Sequence, residues 1–333
     1  MLYRSMKKTG DDLSVLGFGC MRFPERRGRI DEERATRQVR SAIDRGVNYL
    51  DTAFPYHMGA SEPFLGRALS EGYRDRIKLA TKLPPWSVKK REDMDRILGT
   101  QLGRLKTDHI DYYLVHGLGG KIWERMKRLG VIGFLERARD DGRIYHVGFS
   151  FHGKKDEFRE IVDDYDWEFC QIQYNFLDEQ HQAGREGLEY AAGKGLGVVV
   201  MEPLRGGNLA KKVPPEVQAI WDEAEVRRSA AEWALRWVWN HPDVTVVLSG
   251  MNDEDNIDEN LRIADEADPE SLSAEELELV GRAADAYRKL TRAGCTGCGY
   301  CMPCPAGVDI PFCFEAYCRN IVHTIELCSI LWY

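Results

Sequence analysis

The chain has 333 residues, 43% of them hydrophobic and 30% charged, with a formal net charge of −8 at pH 7. That length suits one large α/β barrel, for which about 250 residues is typical, plus a small appendage. The acidic, interspersed charge excludes the basic footprint that a nucleic-acid phosphate backbone demands. No run of about 18 apolar residues occurs, so no membrane-spanning helix is expected. The basic start MLYRSMKKTGDD has no apolar stretch behind it, so no secretory signal is expected and the expected compartment is the cytoplasm.

In chain order, short β-rich runs alternate with longer amphipathic ones. Predicted strands are Leu13–Phe18, Val47–Leu50, Ile77–Thr81, Ile110–Val115, His146–Phe149, Phe169–Gln173, Gly197–Met201 and Thr245–Leu248. The helix-length stretches are Glu32–Arg45, Ser61–Leu69, Lys89–Leu105, Gly120–Asp140, Lys155–Asp164, His181–Lys194, Pro214–Asn240 (broken near Arg228) and Glu254–Ala264. Alternation of this kind predicts βαβ units, and eight such units in about 250 residues predict closure into a (β/α)8 TIM barrel. Gly142 and Gly195 follow predicted helices, as C-terminal caps do. Ser273 and Glu276 form a capping-box pattern that opens a last helix through about Leu290. Composition shifts sharply at Gly294. The expected division is therefore a barrel over residues 1–290 and a Cys-rich segment over residues 291–333.

In a parallel barrel the chemistry sits where strands end. The second strand ends in Asp51 and its loop carries Tyr56; the third ends in Lys82 and the fourth in His116. Singly, each has an ordinary structural role: a cap, a loop aromatic, a solvated strand end, a core histidine. Together on one rim they suit carbonyl reduction. Negative charge grows on the carbonyl oxygen as hydride reaches the carbon, so a proton donor is needed there. A tyrosine is too weak an acid on its own, but a nearby ammonium favours its phenolate. Lys82 would supply that charge, Asp51 would hold Lys82 charged, and His116 would orient the substrate oxygen. Phe54, Met58, Trp86 and Leu118 are candidate apolar lining.

The stretches LGFGCMRFP, VNYLDTAFPYHMGASEPFLGRAL, LATKL and IDYYLVHG, with VGFS, CQIQYN and the run from Gly250 to Asn260, resemble the aldo/keto reductase family over about residues 1–290. The resemblance implies an NAD(P)H-dependent oxidoreductase that reduces aldehydes or ketones, with Asp51, Tyr56, Lys82 and His116 as catalytic tetrad. It further implies cofactor contacts at Ser150, Gln171, Met201, Pro203, Leu204, Gly206, Gly250, Asn256 and Asn260. Three departures stand out. Phe151 replaces the Asn that usually follows Ser150, with His152 beyond it, and Met201 replaces the aromatic that usually stacks on the nicotinamide. Gly250 and Asn256 replace bases that often hold the 2′-phosphate. Asp253, Glu254 and Asp255 add negative charge, which tilts the expectation toward NADH and leaves NADPH open through Arg205 or another base. From the residues alone, the glycines after Glu202 would let backbone N–H groups approach a diphosphate or simply make a turn. Gln171, Gln173 and Asn175 share one strand face.

Of nine cysteines, seven lie in the last 39 residues. The run Cys295, Cys298, Cys301, Cys304, Pro305 is a ferredoxin-type iron–sulfur pattern with its last spacing shortened by one residue, and zinc is the competing metal. It is similar to the C-terminal ferredoxin-like domain carried by a subgroup of the family. That domain normally repeats the motif to hold two clusters. Here only Cys313, Cys318 and Cys328 follow, so at most one complete [4Fe–4S] cluster is expected, and the tail reads as a truncated or frame-shifted version of the domain. A small carbonyl compound is the expected substrate, and a redox protein is the partner a cluster would imply. The alternative reading is a redox-sensing or electron-transfer protein that binds the cofactor without rapid turnover.

Overall fold

The computed structural model describes residues 1–211, 213–290, 301–302 and 304–319. The chain opens with a hairpin, β1 (Tyr3–Ser5) against β2 (Asp12–Ser14), and a second small hairpin pairs β4 (Glu25–Arg26) with β5 (Arg29–Ile30). The remaining strands are β3 (Leu16–Gly19), β6 (Tyr49–Asp51), β7 (Lys78–Leu83), β8 (Ile110–Leu118), β9 (Ile144–Phe151), β10 (Phe169–Gln173), β11 (Gly197–Met201) and β12 (Val244–Ser249). They form one closed barrel in the order β3-β6-β7-β8-β9-β10-β11-β12, every pair parallel. The expected (β/α)8 barrel is therefore the observed fold.

Helices α1 (Glu32–Asp44), α2 (Ser61–Ala68), α3 (Glu92–Leu105), α4 (Gly120–Arg128), α5 (Val131–Asp140), α6 (Lys155–Asp164), α7 (Gly184–Gly193), α8 (Pro215–Trp221), α9 (Ala230–Trp239) and α10 (Glu254–Ala264) wrap the sheet, and α11 (Ala274–Leu290) and α12 (Ile310–Arg319) follow. Two expected elements divide. Leu13–Phe18 splits because residues 12–14 turn down to close the barrel floor with β1, and only Leu16 onward joins the barrel. Gly120–Asp140 splits into α4 and α5 at Gly130, whose φ of 82° ends one helix and redirects the chain. The break near Arg228 is present, between α8 and α9. The expected capping box also forms: Glu276 N donates to Ser273 Oγ at 3.2 Å and Ser273 N donates to Glu276 Oε2 at 3.0 Å.

The barrel interior explains the position of the site. Tyr49, Ala80, Tyr112, Leu114, Phe169, Val199, Val246 and Leu248 pack together inside, sealed below by Met6 and Leu13 from the hairpin. Side chains alternate along a strand, so two residues beyond these apolar groups the same face presents Asp51 after Tyr49, Lys82 after Ala80, His116 after Leu114, Gln171 after Phe169 and Met201 after Val199. An apolar plug thus carries a polar layer at the C-terminal rim. Outside, the sheet and helices share a second, larger apolar layer, and α11 closes a satellite cluster with Phe176, Trp221 and Trp233.

Candidate active site

Asp51, Lys82 and His116 are 2%, 1% and 1% exposed, and each sits at the top of its strand on the inner face. Lys82 Nζ donates to Asp51 Oδ1 at 2.5 Å, to Thr52 O at 2.8 Å and to the Tyr56 hydroxyl at 3.5 Å. The tetrad residues expected from strand ends are thus brought together. Burial drives the Asp51 carboxyl up and the Lys82 ammonium down, toward their neutral forms, and each is held charged by the other. His116 lies edge-on to Tyr56, with ring centroids 6.2 Å apart. Burial, then the Lys82 charge and His152, push its pKa well below the usual histidine value. It is therefore a neutral imidazole near pH 7, able to donate one hydrogen bond without carrying charge.

Tyr56 begins a short 3₁₀ turn, Tyr56–Gly59, in which His57 and Met58 both take left-handed backbone, with φ of 51° and 55°. Such backbone costs about 1–3 kcal/mol per residue and persists only where surroundings enforce it. Here His57 does so. Its Nε2 accepts from Phe23 N at 3.0 Å, its Nδ1 meets Glu25 Oε1 at 3.2 Å, and its ring stacks on Phe23. A second support lies beneath Lys82. Buried Glu62 accepts from Thr81 Oγ1 and Gln101 Nε2, each at 2.8 Å, and from Arg104 at 3.1 Å, while Gln101 also donates to Lys82 O at 3.0 Å. Neither His57 nor Glu62 was legible as a support, because their partners lie in other elements.

A cavity of about 320 Å³ opens beside this layer. Asp51 and Tyr56 line one end, and Gln171, Met201, Pro203, Leu204, Gly206, Gly250, Asn256 and Asn260 continue along it. Every expected cofactor contact except Ser150 therefore borders one cleft. Ser150 is buried beside it and accepts from Gly117 N at 2.8 Å. Gln171 Oε1 is buried with no hydrogen-bond partner in the protein. Gly206 and Gly207 have φ of 69° and 95°, backbone that only glycine adopts without strain, where the loop after β11 turns along the cleft. Asn260 Nδ2 donates to Ser249 Oγ at 3.0 Å, which fastens α10 to the end of β12.

Several expectations are corrected. Arg205 faces away from the cleft: it is 8% exposed and pairs with Asp178 at 3.1 Å. Among the described residues, the Arg and Lys side chains that line the cleft are Arg22 and Lys211, which nothing in the sequence pattern singled out. Asp253 and Glu254 are engaged by Arg34, at 3.2 Å and 2.9 Å, and neither they nor Asp255 border the cleft. Their charge was one of the two reasons to expect NADH, beside Gly250 and Asn256 in place of bases, and it is engaged by Arg34 away from the cleft. Phe151 packs on Phe158 in the outer layer while His152 lines the cavity. Of the candidate apolar lining, Leu118 is buried in the outer core and Met58 is fully exposed. Phe54 lies under Arg104, whose Cζ is 4.3 Å from its ring centroid. Trp86 is 52% exposed with its ring centroid 5.1 Å from that of His116, so it alone stands at the mouth of the site.

In the tail, Cys295 and Cys298 lie outside the described residues. Cys301 is exposed and Cys304 half-buried, both as free thiols. Among the described residues no group of three or more His, Cys, Asp or Glu gathers around a point that a metal ion could occupy. No helix among them is long and apolar enough to cross a membrane.

A barrel with a buried lysine–carboxylate pair reaching a tyrosine at its C-terminal rim defines the class. The aldo/keto reductase family profile matches residues 15–280. The chain belongs to that family and is an oxidoreductase of its type. It is 25% identical over 317 residues to L-galactose dehydrogenase of Arabidopsis thaliana, covering 86% of this chain and 96% of that one. It is also 25% identical over 265 residues to aldo-keto reductase yakc [NADP(+)] of Schizosaccharomyces pombe, covering 75% of each. Among solved structures, the holo form of an aldo-keto reductase from Bacillus halodurans superposes with a TM-score of 0.71 at 28% identity, covering 85% of this chain and 96% of that one.

Proposed function

We propose that the protein reduces aldehyde or ketone carbonyls with NADPH, with Tyr56 as proton donor. The observation that carries this reading is Lys82 Nζ, 2.5 Å from Asp51 and 3.5 Å from the Tyr56 hydroxyl, at the end of a cleft bordered by the expected cofactor contacts. When bound, the nicotinamide supplies hydride to the carbonyl carbon. Tyr56 gives its proton to the carbonyl oxygen. The Lys82 ammonium stabilises the phenolate left behind, and Asp51 keeps Lys82 protonated in spite of its burial. Neutral His116 donates a hydrogen bond to the same oxygen without competing as an acid.

The cleft suits the cofactor chemically. The buried Gln171 carbonyl offers an acceptor for a carboxamide N–H, and the glycine turn at residues 206–207 admits close approach by a diphosphate. Met201, polarizable and apolar, serves as the surface beside the nicotinamide ring. Arg22 and Lys211 favour the phosphorylated cofactor, and the yeast relative whose name carries NADP(+) agrees with that preference. The family profile ends at residue 280. We extend the catalytic unit to residue 290, because Tyr287 of α11 still packs into the satellite core.

The deciding experiment is anaerobic titration with NADPH and NADH, read by cofactor fluorescence, in wild type and Tyr56→Phe. Binding by both proteins with aldehyde reduction by wild type alone is the expected result. Absence of binding to either nucleotide removes the oxidoreductase mechanism. For residues 291–333 the proposal is narrower: Cys295, Cys298, Cys301 and Cys304 ligate one [4Fe–4S] cluster. Anaerobic reconstitution giving about four irons and four sulfides per chain supports it, and zinc or no metal after the same treatment rejects it.

A further inference from the structure

The loop between β3 and α1 leaves the cleft as the small β4–β5 hairpin. Met21 and Arg22 border the cleft, Phe23 N donates to His57 Nε2 at 3.0 Å, and Glu25 Oε1 meets His57 Nδ1 at 3.2 Å, so the base of the hairpin is fastened beside Tyr56. Asp31 N donates to Pro24 O at 2.8 Å and closes that base. Beyond it Arg26 lies directly opposite Arg29 across the paired strands. Arg27 and Gly28 make the turn, with φ of 56° and 71°. All three arginines are exposed and together line a shallow hollow.

Hairpin stability explains none of these placements. Like charges directly opposite on paired strands are destabilising, and the left-handed first position of a two-residue turn favours Asn, Asp or Gly over a long cation. Local choices that oppose the fold in this way are expected where function needs them. The charges are not neutralised by the surrounding stretch either. Glu25 is engaged by His57, Glu32 by Arg67 and Glu33 by Arg37, while Asp31 accepts from Arg34 N and lies 3.9 Å from Arg26. Among the described residues Arg27 and Arg29 have no carboxylate partner. The chain as a whole carries −8, so it repels a polyanion at long range, and Asp51, Glu202 and Glu259 line the cleft itself. Arg26 follows Arg22 by four positions, a span of at most about 14 Å. The screening length is about 8 Å at physiological ionic strength and about 30 Å at 0.01 M, so the hairpin charge is felt at the edge of the cleft and more strongly as salt is lowered.

We infer that Arg26, Arg27 and Arg29 form an electrostatic capture site for the phosphates of the dinucleotide, which speeds its entry into the cleft without touching it once seated. This rests on the nicotinamide-cofactor reading above. A patch of unneutralised charge beside a binding cleft raises the rate of encounter with a ligand of opposite sign, and that gain falls steeply with ionic strength.

The test is stopped-flow fluorescence of NADPH association and dissociation, at low and at physiological ionic strength, in wild type and in triple variants of the hairpin. Arg26→Gln, Arg27→Gln, Arg29→Gln together are expected to slow association by about tenfold at low salt and by less at physiological salt, with dissociation unchanged. NADH, which lacks the 2′-phosphate, is expected to lose less. The same three positions changed to Lys are expected to keep the wild-type rate, because steering depends on charge and not on the guanidinium fork. A control triple, Lys7→Gln, Lys106→Gln and Arg139→Gln, makes the same change in net charge with exposed cations at the other end of the barrel, and is expected to keep the association rate. Association unchanged in the glutamine triple, slowed equally in the control, or slowed in the lysine triple overturns the inference. Faster dissociation from the glutamine triple overturns it too, since the arginines then belong to the seated site. Wild type that binds neither nucleotide refutes the cofactor reading itself.

Discussion

The rim of the barrel has two unlike arcs. From β6 to β8 its polar side chains are buried: Asp51, Lys82 and His116 are each at most 2% exposed, Lys82 pairs with Asp51 and contacts Tyr56, and His116 stands beside them as a neutral imidazole. From β9 round to α10 neutral amides, hydroxyls, glycines and Met201 run along an open cleft, with Glu202, Lys211 and Glu259 among them and Arg22 reaching in from the loop after β3. The first arc stores electrostatic energy in a fixed arrangement, where a low local dielectric strengthens each interaction. The second gives shape and hydrogen-bonding surface to a long ligand. Damage to the first should therefore abolish turnover or stability, and damage to the second should alter affinity and selectivity.

The sharpest way to break that contrast is Tyr56→Phe. Loss of the proton donor is expected to lower the rate of carbonyl reduction by about 10²–10⁴-fold, with NADPH affinity retained, as measured by single-turnover kinetics and fluorescence titration. Next in size is Lys82→Met, which strands the Asp51 carboxyl in the interior. Removing one partner of a buried pair costs about 3–5 kcal/mol, to be read from denaturant unfolding. The double variant Asp51→Asn, Lys82→Met should recover much of that loss because no uncompensated charge remains.

On the second arc, Arg22→Gln and Lys211→Gln are each expected to weaken NADPH binding by about tenfold, in line with a charge-assisted hydrogen bond of about 1.5 kcal/mol. NADH binding should change less. An equal loss for both nucleotides would place these cations on the diphosphate instead. The smallest expected effect is one of pH. His116 and His152 have depressed pKa values in the fold, and burial lowers His57 and His241 too. The unfolded chain then binds more protons than the native one below about pH 6.5. Stability should fall as pH drops from about 6.5 toward about 4, and His152→Asn should flatten part of that slope in urea-denaturation midpoints.

Legibility followed the same division. Asp51, Lys82 and His116 are readable because each closes an apolar strand run, and period-two alternation above an apolar plug leaves them little choice of direction. The cleft was legible only in outline. Arg205 was the one base named as able to serve NADPH, with another left open, yet its guanidinium turns to Asp178, while Arg22 arrives from the loop after β3. The acidic start of α10 suggested a negative field, yet Arg34 of α1 holds Asp253 and Glu254 outward. His57, which locks the strained turn after Tyr56, depends on Phe23 and Glu25, more than thirty residues upstream in the chain.

The sequence by itself determined the eightfold β/α rhythm, the placing of Asp51, Lys82 and His116 at strand ends, and the family, because alternation and helix periodicity are local properties that survive reading one residue after another. The tertiary structure alone decided which cations face the cleft, that Phe151 leaves it while His152 enters, and how the Tyr56 turn is braced. Those outcomes depend on long side chains choosing among partners far apart in the chain, and only the closed barrel brings the competing partners within hydrogen-bonding distance.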